Sequence, residues 1–214
     1  MTSLLELLLR LDSSFFHGVN RLAGRSPVSD WFCRLGADDH IIPVALTLMV
    51  LLTVLLAEKR RGRQTAFNCV LCAFFASLLS MGFLLFLNRL FFRPRPFTTQ
   101  AVNLLLYRNT DSAFPSNAAT LAFVLAFAVL LHKKGLGSVM ACLAAFLGFA
   151  RVMAGVHYPS DVLGGALLGL SCALLARSAE PVYRPLSALL TELEYCVLAS
   201  WRNPSRVHGG GRLK

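Results

Sequence analysis

The sequence predicts an all-α fold, a polytopic membrane helix bundle, and three observations carry that prediction. Apolar side chains make up 56% of the 214 residues and charged ones only 15%, a balance unlike that of ordinary soluble domains. The apolar residues fall into long blocks, and the mean hydropathy of the whole chain is +0.60. Short charged links separate the blocks, as expected for successive helices that each need roughly 20 apolar residues to cross a bilayer.

Residues 4–11 are strongly apolar but are interrupted by Glu6 and Arg10. No basic start precedes them and no small-residue cleavage site follows, so they do not read as a secretory signal. Phe15, Phe16, Val19 and Leu22 recur at helical spacing against Asn20 and Arg21. This predicts a helix lying along the membrane interface, with a sixth, imperfect span as the alternative.

Five clear spans follow. Residues 41–57 end at the basic run from Lys59 to Arg63, and residues 65–87 lead into Asn88 and Arg89. Residues 115–131 are closed by His132, Lys133 and Lys134, residues 136–149 lead to Arg151, and residues 162–176 form the last span. Gly164, Gly165 and Gly169 on that last span would let a neighbouring helix approach closely. Residues 1–180 therefore read as a single integral membrane domain. Residues 181–214 read as a cytoplasmic amphipathic helix over 186–201 and a disordered end with Gly209, Gly210 and Gly211.

The formal charge of +10 does not point to nucleic acid, because the basic residues sit beside apolar blocks without aromatic interleaving. The compact Lys59 to Arg63 and Lys133-Lys134 links mark the cytoplasmic face. The span ends near Arg95, Ser116 and Arg151 then lie on the opposite, extracytoplasmic face. Cys69 and Cys72 lie mid-span with no second pair and read as core packing, so no disulfide framework is expected. Asp38, Asp39 and His40 are consecutive, point in different directions, and read as a solvated entry to the first span. No metal and no cofactor are expected. His17, His132 and His208 have no evident partners in the sequence.

Three separated pieces carry the chemistry. In Arg93-Pro94-Arg95-Pro96 two prolines fix an extended turn from which guanidinium groups can bind phosphate oxygens in forked pairs. Pro115, read as an early helical residue, leaves the first-turn amides around Ser116 and Asn117 as an anion-attracting helix end. His157 lies between two spans, with Arg151 before it and Asp161 four residues after it. A carboxylate there can hold one ring nitrogen and leave the other to attack phosphorus, while Arg151 balances the phosphoryl charge.

Together these pieces resemble the three-part signature of the type 2 phosphatidic acid phosphatase superfamily. Arg95-Pro96 corresponds to its first part, Pro115-Ser116 to its second, and Arg151, His157 and Asp161 to its third at full spacing. The short length and the Arg-Pro-Arg-Pro-Phe form most resemble the bacterial undecaprenyl-diphosphatase branch. The resemblance implies a lipid diphosphate substrate in a bacterial plasma membrane, hydrolysed without metal through a phosphohistidine at His157, with Asp161 as orienter. The phosphate-binding set would be Asn88, Arg93, Arg95, Ser116, Asn117 and Arg151. A homodimer is left open.

Two positions depart from the signature. Asn88 stands where the superfamily has Lys, with Arg89 and Arg93 nearby as replacement cations. Ala118 stands where it has the His that protonates the leaving oxygen. An engineered change, a natural pseudoenzyme, and a substrate that does not need the acid are all open explanations. A lipid diphosphate expels a good leaving group, a lipid monophosphate a poor alkoxide, and general acid catalysis is worth about 100 to 10,000-fold. The competing functions are a phosphotransferase using a lipid acceptor and a non-catalytic phospholipid-binding protein.

Overall fold

A computed structural model of the protein describes residues 2–108 and 110–202. The glycine tail predicted to be disordered, and His208, lie outside these residues. Among them the chain forms nine helices and no strand: α1 (Thr2–Asn20), α2 (Pro27–Ala37), α3 (Ile41–Leu55), α4 (Arg60–Leu90), α5 (Pro96–Thr99), α6 (Asn117–Leu130), α7 (Lys134–Met153), α8 (Pro159–Ser178) and α9 (Glu180–Arg202).

The bundle is built around α6, which packs against α3, α4, α7 and α8. Ala119, Ala122, Ala126 and Ala128 are fully buried along it, so neighbouring backbones come close. Such small-residue contacts drive association in lipid, where apolar burial alone gives no preference between neighbours. Two of the three glycines of α8 act as the sequence predicts, while Gly164 makes room for the Phe114 ring instead of a helix. A Cβ on Gly165 would stand 2.9 Å from Thr120 Oγ1, and one on Gly169 would stand 3.0 Å from the backbone nitrogen of Val124. Large apolar side chains such as Leu48, Phe74, Leu78, Phe86, Leu163 and Leu167 face outward instead. That outward arrangement suits hydrocarbon surroundings.

Helices α4, α7 and α8 are long and apolar enough to cross a membrane, and α2 with α3, bent by 56°, make a fourth crossing if they act as one. Helix α6 is apolar but has only 14 residues. Helix α4 starts inside the link that the sequence assigns to charged loop, because α9 folds back along it. Arg60 pairs with Glu192, Arg63 with Glu194, and the rings of Phe75 and Tyr183 stack at 5.4 Å. His132, which lacks an evident partner in the sequence, has Ala128 O 2.8 Å from Nδ1 and Arg177 3.1 Å from Nε2.

At the N-terminus the structure extends the expected 15–22 helix into α1 and adds α2, opened by Pro27 at its first turn. Helix α1 packs on α7 and α8. Fully buried Phe16 meets the Tyr158 ring at 5.4 Å, and Asn20 Nδ2 donates to Met153 O at 2.9 Å.

Candidate active site

The end of α7 aims the central side chain. Gly155 takes φ +82°, its N–H donates to Val152 O at 3.1 Å, and Val156 N donates to Arg151 O at 3.3 Å. This is a Schellman closure, which glycine enters without Cβ strain, and it turns the chain back beneath Arg151. Pro159 then opens α8, and Asp161 Oδ2 caps it by accepting from Tyr158 N at 2.7 Å. His157 is held between these two helix ends.

The His157 ring is buried, with Nδ1 3.0 Å from the carbonyl oxygen of Ala113. A carbonyl only accepts, so Nδ1 carries the proton and Nε2 keeps its lone pair. Nε2 faces two buried guanidiniums, with Arg151 NH2 at 3.2 Å and Arg95 NH1 at 3.4 Å. Burial, then Arg151 and Arg95, hold the imidazole well below the usual imidazole range. It is a neutral, lone-pair-bearing base between two cations.

Each arginine also meets a carboxylate. Arg95 NH2 pairs with Asp111 Oδ1 at 2.8 Å, and Arg151 NH1 pairs with Asp39 while donating to Ala37 O at 3.0 Å. Burial raises the Asp39 pKa, but Arg151 and the Tyr107 hydroxyl outweigh it and leave the carboxyl below its ordinary range. The residues surround a cavity of about 350 Å³. Ser77, Ser80, Leu84, Leu121 and Ala118 line one wall, and Asn88, Arg95, Asn117, Arg151 and His157 supply its polar parts. Two residues of the lining carry buried polar atoms without partners, Asn88 Oδ1 and Arg151 Nε; Ser116 Oγ is also unpartnered, but Ser116 does not line the cavity as the sequence led one to expect. Buried polar groups are ordinarily bonded, so the open Arg151 Nε–H in the cavity wall can donate to a ligand oxygen.

Residues 69–183, more than half of the chain, match the family described as PAP2 superfamily. The chain belongs to the PAP2 superfamily. It is 31% identical over 200 residues to YbjG of Escherichia coli, whose name proposes an undecaprenyl-diphosphatase; the match covers 91% of this chain and 92% of that one. It is 24% identical to undecaprenyl-diphosphatase BcrC of Bacillus subtilis, over 88% of this chain and 94% of the relative. The crystal structure of Aquifex aeolicus LpxE matches 78% of this chain and 95% of its own, at 25% identity and a TM-score of 0.61. The apolar helices and these relatives make the protein a multi-pass membrane member of a phosphatase superfamily.

In this PAP2 chain the fold gathers Asn88, Arg95, Asn117, Ala118, Arg151 and His157 around one cavity. Four further expectations are corrected. Arg93 does not line that cavity: it pairs with Asp12 and Asp161 and lies over the Tyr158 ring, 4.3 Å from its centre. Arg95 has polyproline-like angles, φ −75° and ψ 154°, and at three residues per turn positions two apart point in different directions. Asp161 does not hydrogen-bond His157; its carboxylate stands 3.6 Å from Nδ1, and the Ala113 carbonyl makes the bond instead.

Pro115 lies outside α6, whose N-cap is Ser116, and the Ser116 amide is taken by Asp161 O at 3.1 Å. The first-turn amides left for an anion begin at Asn117. Asp39 is not part of a solvated entry but a partner of Arg151 at the cavity wall. Neither Asp39 nor Asp111 could be found from local sequence, since each reaches the site only through long-range packing. Gly155 did leave a local signal, as the glycine just beyond a helix end.

Proposed function

We propose that the protein is a lipid phosphatase of the bacterial plasma membrane that hydrolyses undecaprenyl diphosphate to undecaprenyl phosphate and inorganic phosphate. The observation that carries this reading is the neutral Nε2 of His157, open to the cavity between Arg95 and Arg151. Nε2 attacks the terminal phosphorus, a nitrogen–phosphorus bond forms, and the bond to the bridging oxygen breaks with its electron pair leaving on the lipid phosphate. Water then attacks the phosphohistidine, releases inorganic phosphate and returns the lone pair to Nε2.

Arg95, Arg151 and the Asn117 end of α6 hold the phosphoryl oxygens as charge accumulates on them, displacing Asp111 and Asp39. Asp161 supports the charge that grows on the ring from 3.6 Å, without a direct bond. The apolar wall from α4 and α6 takes the first part of the lipid chain. The site faces the extracytoplasmic side, because the basic links lie at the other ends of the spans. Residues 1–180 carry the activity, residues 181–214 add an amphipathic helix on the cytoplasmic side, and a homodimer is compatible with this assignment.

Ala118 lines the cavity where a proton donor would serve the leaving oxygen. It favours a second reading, in which the chain binds lipid phosphate without turnover. Phosphate release from a panel of lipid mono- and diphosphates, run on this chain and on Ala118→His, decides between them. Release from the diphosphate by both chains, with the monophosphate hydrolysed only after the substitution, supports the phosphatase and the leaving-group explanation. Binding without release by both chains leaves the binding protein. Transfer of phosphate to an added lipid acceptor in place of water identifies a phosphotransferase.

A further inference from the structure

Helix α1 contains none of the motif residues, yet it places a largely buried carboxylate two ion pairs behind the proposed nucleophile. The Asp12 side chain is only 10% exposed. Its Oδ1 accepts from Ser160 N at 2.9 Å, and its Oδ2 accepts from Ser160 Oγ at 2.5 Å and from Arg93 NH2 at 2.7 Å. Arg93 NH1 reaches Asp161 Oδ1 at 2.5 Å, and the other oxygen of Asp161 stands 3.6 Å from His157 Nδ1. The order is Asp12, Arg93, Asp161, His157.

We infer that Asp12 is a positioning residue for phosphoryl transfer at His157, acting through Arg93 and Asp161, an assignment that rests on the phosphohistidine reading above. Charge balance supplies the reason. Arg93 alone would cancel Asp161, leaving little negative potential behind the imidazole. With Asp12 on its other side and both carboxylates ionised against Arg93, the three groups together carry one net negative charge. That charge lies on the Nδ1 side of the ring, while the guanidiniums of Arg95 and Arg151 lie on the Nε2 side. The Ala113 carbonyl also faces Nδ1, and Asp111 and Asp39 are each engaged with one of the two arginines.

When Nε2 bonds to phosphorus, the ring with its Nδ1 proton takes on positive charge. A negative group behind Nδ1 favours that state over the neutral resting ring, and only such differential stabilisation speeds the chemical step. A simple anchor for α1 does not need a buried carboxylate. Burying a charge is costly, and apolar packing of the same volume serves an anchor at least as well. Phe16 on Tyr158 and Asn20 on Met153 O already fix α1 on both sides of the His157 segment, so Asp12 is held in place independently of its own bonds.

The test is Asp12→Asn in both this chain and its Ala118→His version, with undecaprenyl diphosphate in detergent micelles. Asparagine keeps an acceptor for the Ser160 amide and lets Ser160 Oγ accept in place of donating, while it removes both the charge and the oxygen that meet Arg93. The expected result is a kcat lower by about tenfold, the scale of one close charge interaction in partly solvated surroundings. KM should stay within twofold, the thermal midpoint should be unchanged, and the acid limb of kcat should move to lower pH. Asp12→Glu should recover most of the rate, and Glu6→Gln on the exposed side of α1 should change nothing. An unchanged kcat in Asp12→Asn, or a loss without movement of the acid limb, overturns the inference while leaving the phosphatase in place. Turnover that survives His157→Ala overturns the phosphohistidine reading itself.

Discussion

Asp39 and Arg151 lie 112 residues apart in the chain and form an ion pair at the wall of the cavity. A carboxylate thus occupies the guanidinium that the proposed reaction assigns to phosphate, and on that reading substrate binding exchanges one anion for another. In Asp39→Asn, Arg151 keeps its bond to Ala37 O, so its orientation survives while the competitor is gone. Inorganic phosphate should then inhibit about fivefold more tightly, near the 1 kcal/mol of a charge pair at 4 Å in water-like surroundings. A weaker inhibition constant in a product-inhibition assay would contradict the exchange.

His157 should remain neutral well into acid. Its folded-state pKa is depressed by burial and by Arg151 and Arg95, so the acid limb of kcat/KM belongs below the ordinary imidazole value of about 6.5. Stability follows the same sign. The unfolded chain binds the proton first, so the contribution is complete above about pH 6.5 and is lost as pH falls toward the folded value. A pH–rate profile on the Ala118→His chain with an acid limb above 6.5 would refute this.

Gly155→Ala should damage the site without touching it. The residue sits at φ +82°, and the new Cβ would meet Asn103 O at 3.1 Å. Left-handed strain costs about 1–2 kcal/mol for a residue with a Cβ. The thermal midpoint should fall, and turnover should fall further, because Val156 and His157 are aimed by that turn. Thermal unfolding in detergent together with kcat reads both effects.

Gly165→Ala tests the α6–α8 contact. A Cβ there stands 2.9 Å from Thr120 Oγ1 and 3.1 Å from Ser116 O, so the helices must part. The first groups to shift are Ser116 and Asp161, joined at 3.1 Å through the Ser116 amide. A loss of turnover with phosphate affinity also reduced is expected, and an unchanged thermal midpoint would show that the two backbones do not touch.

The helical bundle and the motif residues were readable because both are written locally, although of the five spans expected only α4, α7 and α8 are long enough alone, with α2 and α3 together a fourth. Apolar blocks announce helices, and Arg151, His157 and Asp161 lie within one turn-and-helix segment whose spacing carries its meaning. What escaped reading depends on direction. Whether Arg93 or Arg95 faces the cavity is decided by the backbone rotation between them, which composition does not record. That Ala113, rather than Asp161, holds Nδ1 depends on a backbone carbonyl, and a carbonyl has no letter in the sequence. Asp39, Asp111 and Asp12 gain their roles from partners more than ten residues away, and α2 was hidden in a short stretch mixing Trp31, Phe32 and Asp30.

The brevity of α6 sets how the protein meets its lipid. Fourteen residues rise about 21 Å, against a hydrocarbon thickness near 30 Å. One end of α6 lies beside the charged group of His132, Arg177 and Glu180, and if that group sits at one membrane face, as the proposed orientation has it, the other end, with Ser116 and Asn117, is expected to stop below the far headgroups. On that reading a lipid substrate would sink its phosphates beneath its neighbours to be cut. On the proposed function, turnover should therefore depend on bilayer thickness, with thin membranes bringing headgroups down to the site and thick ones lifting them away.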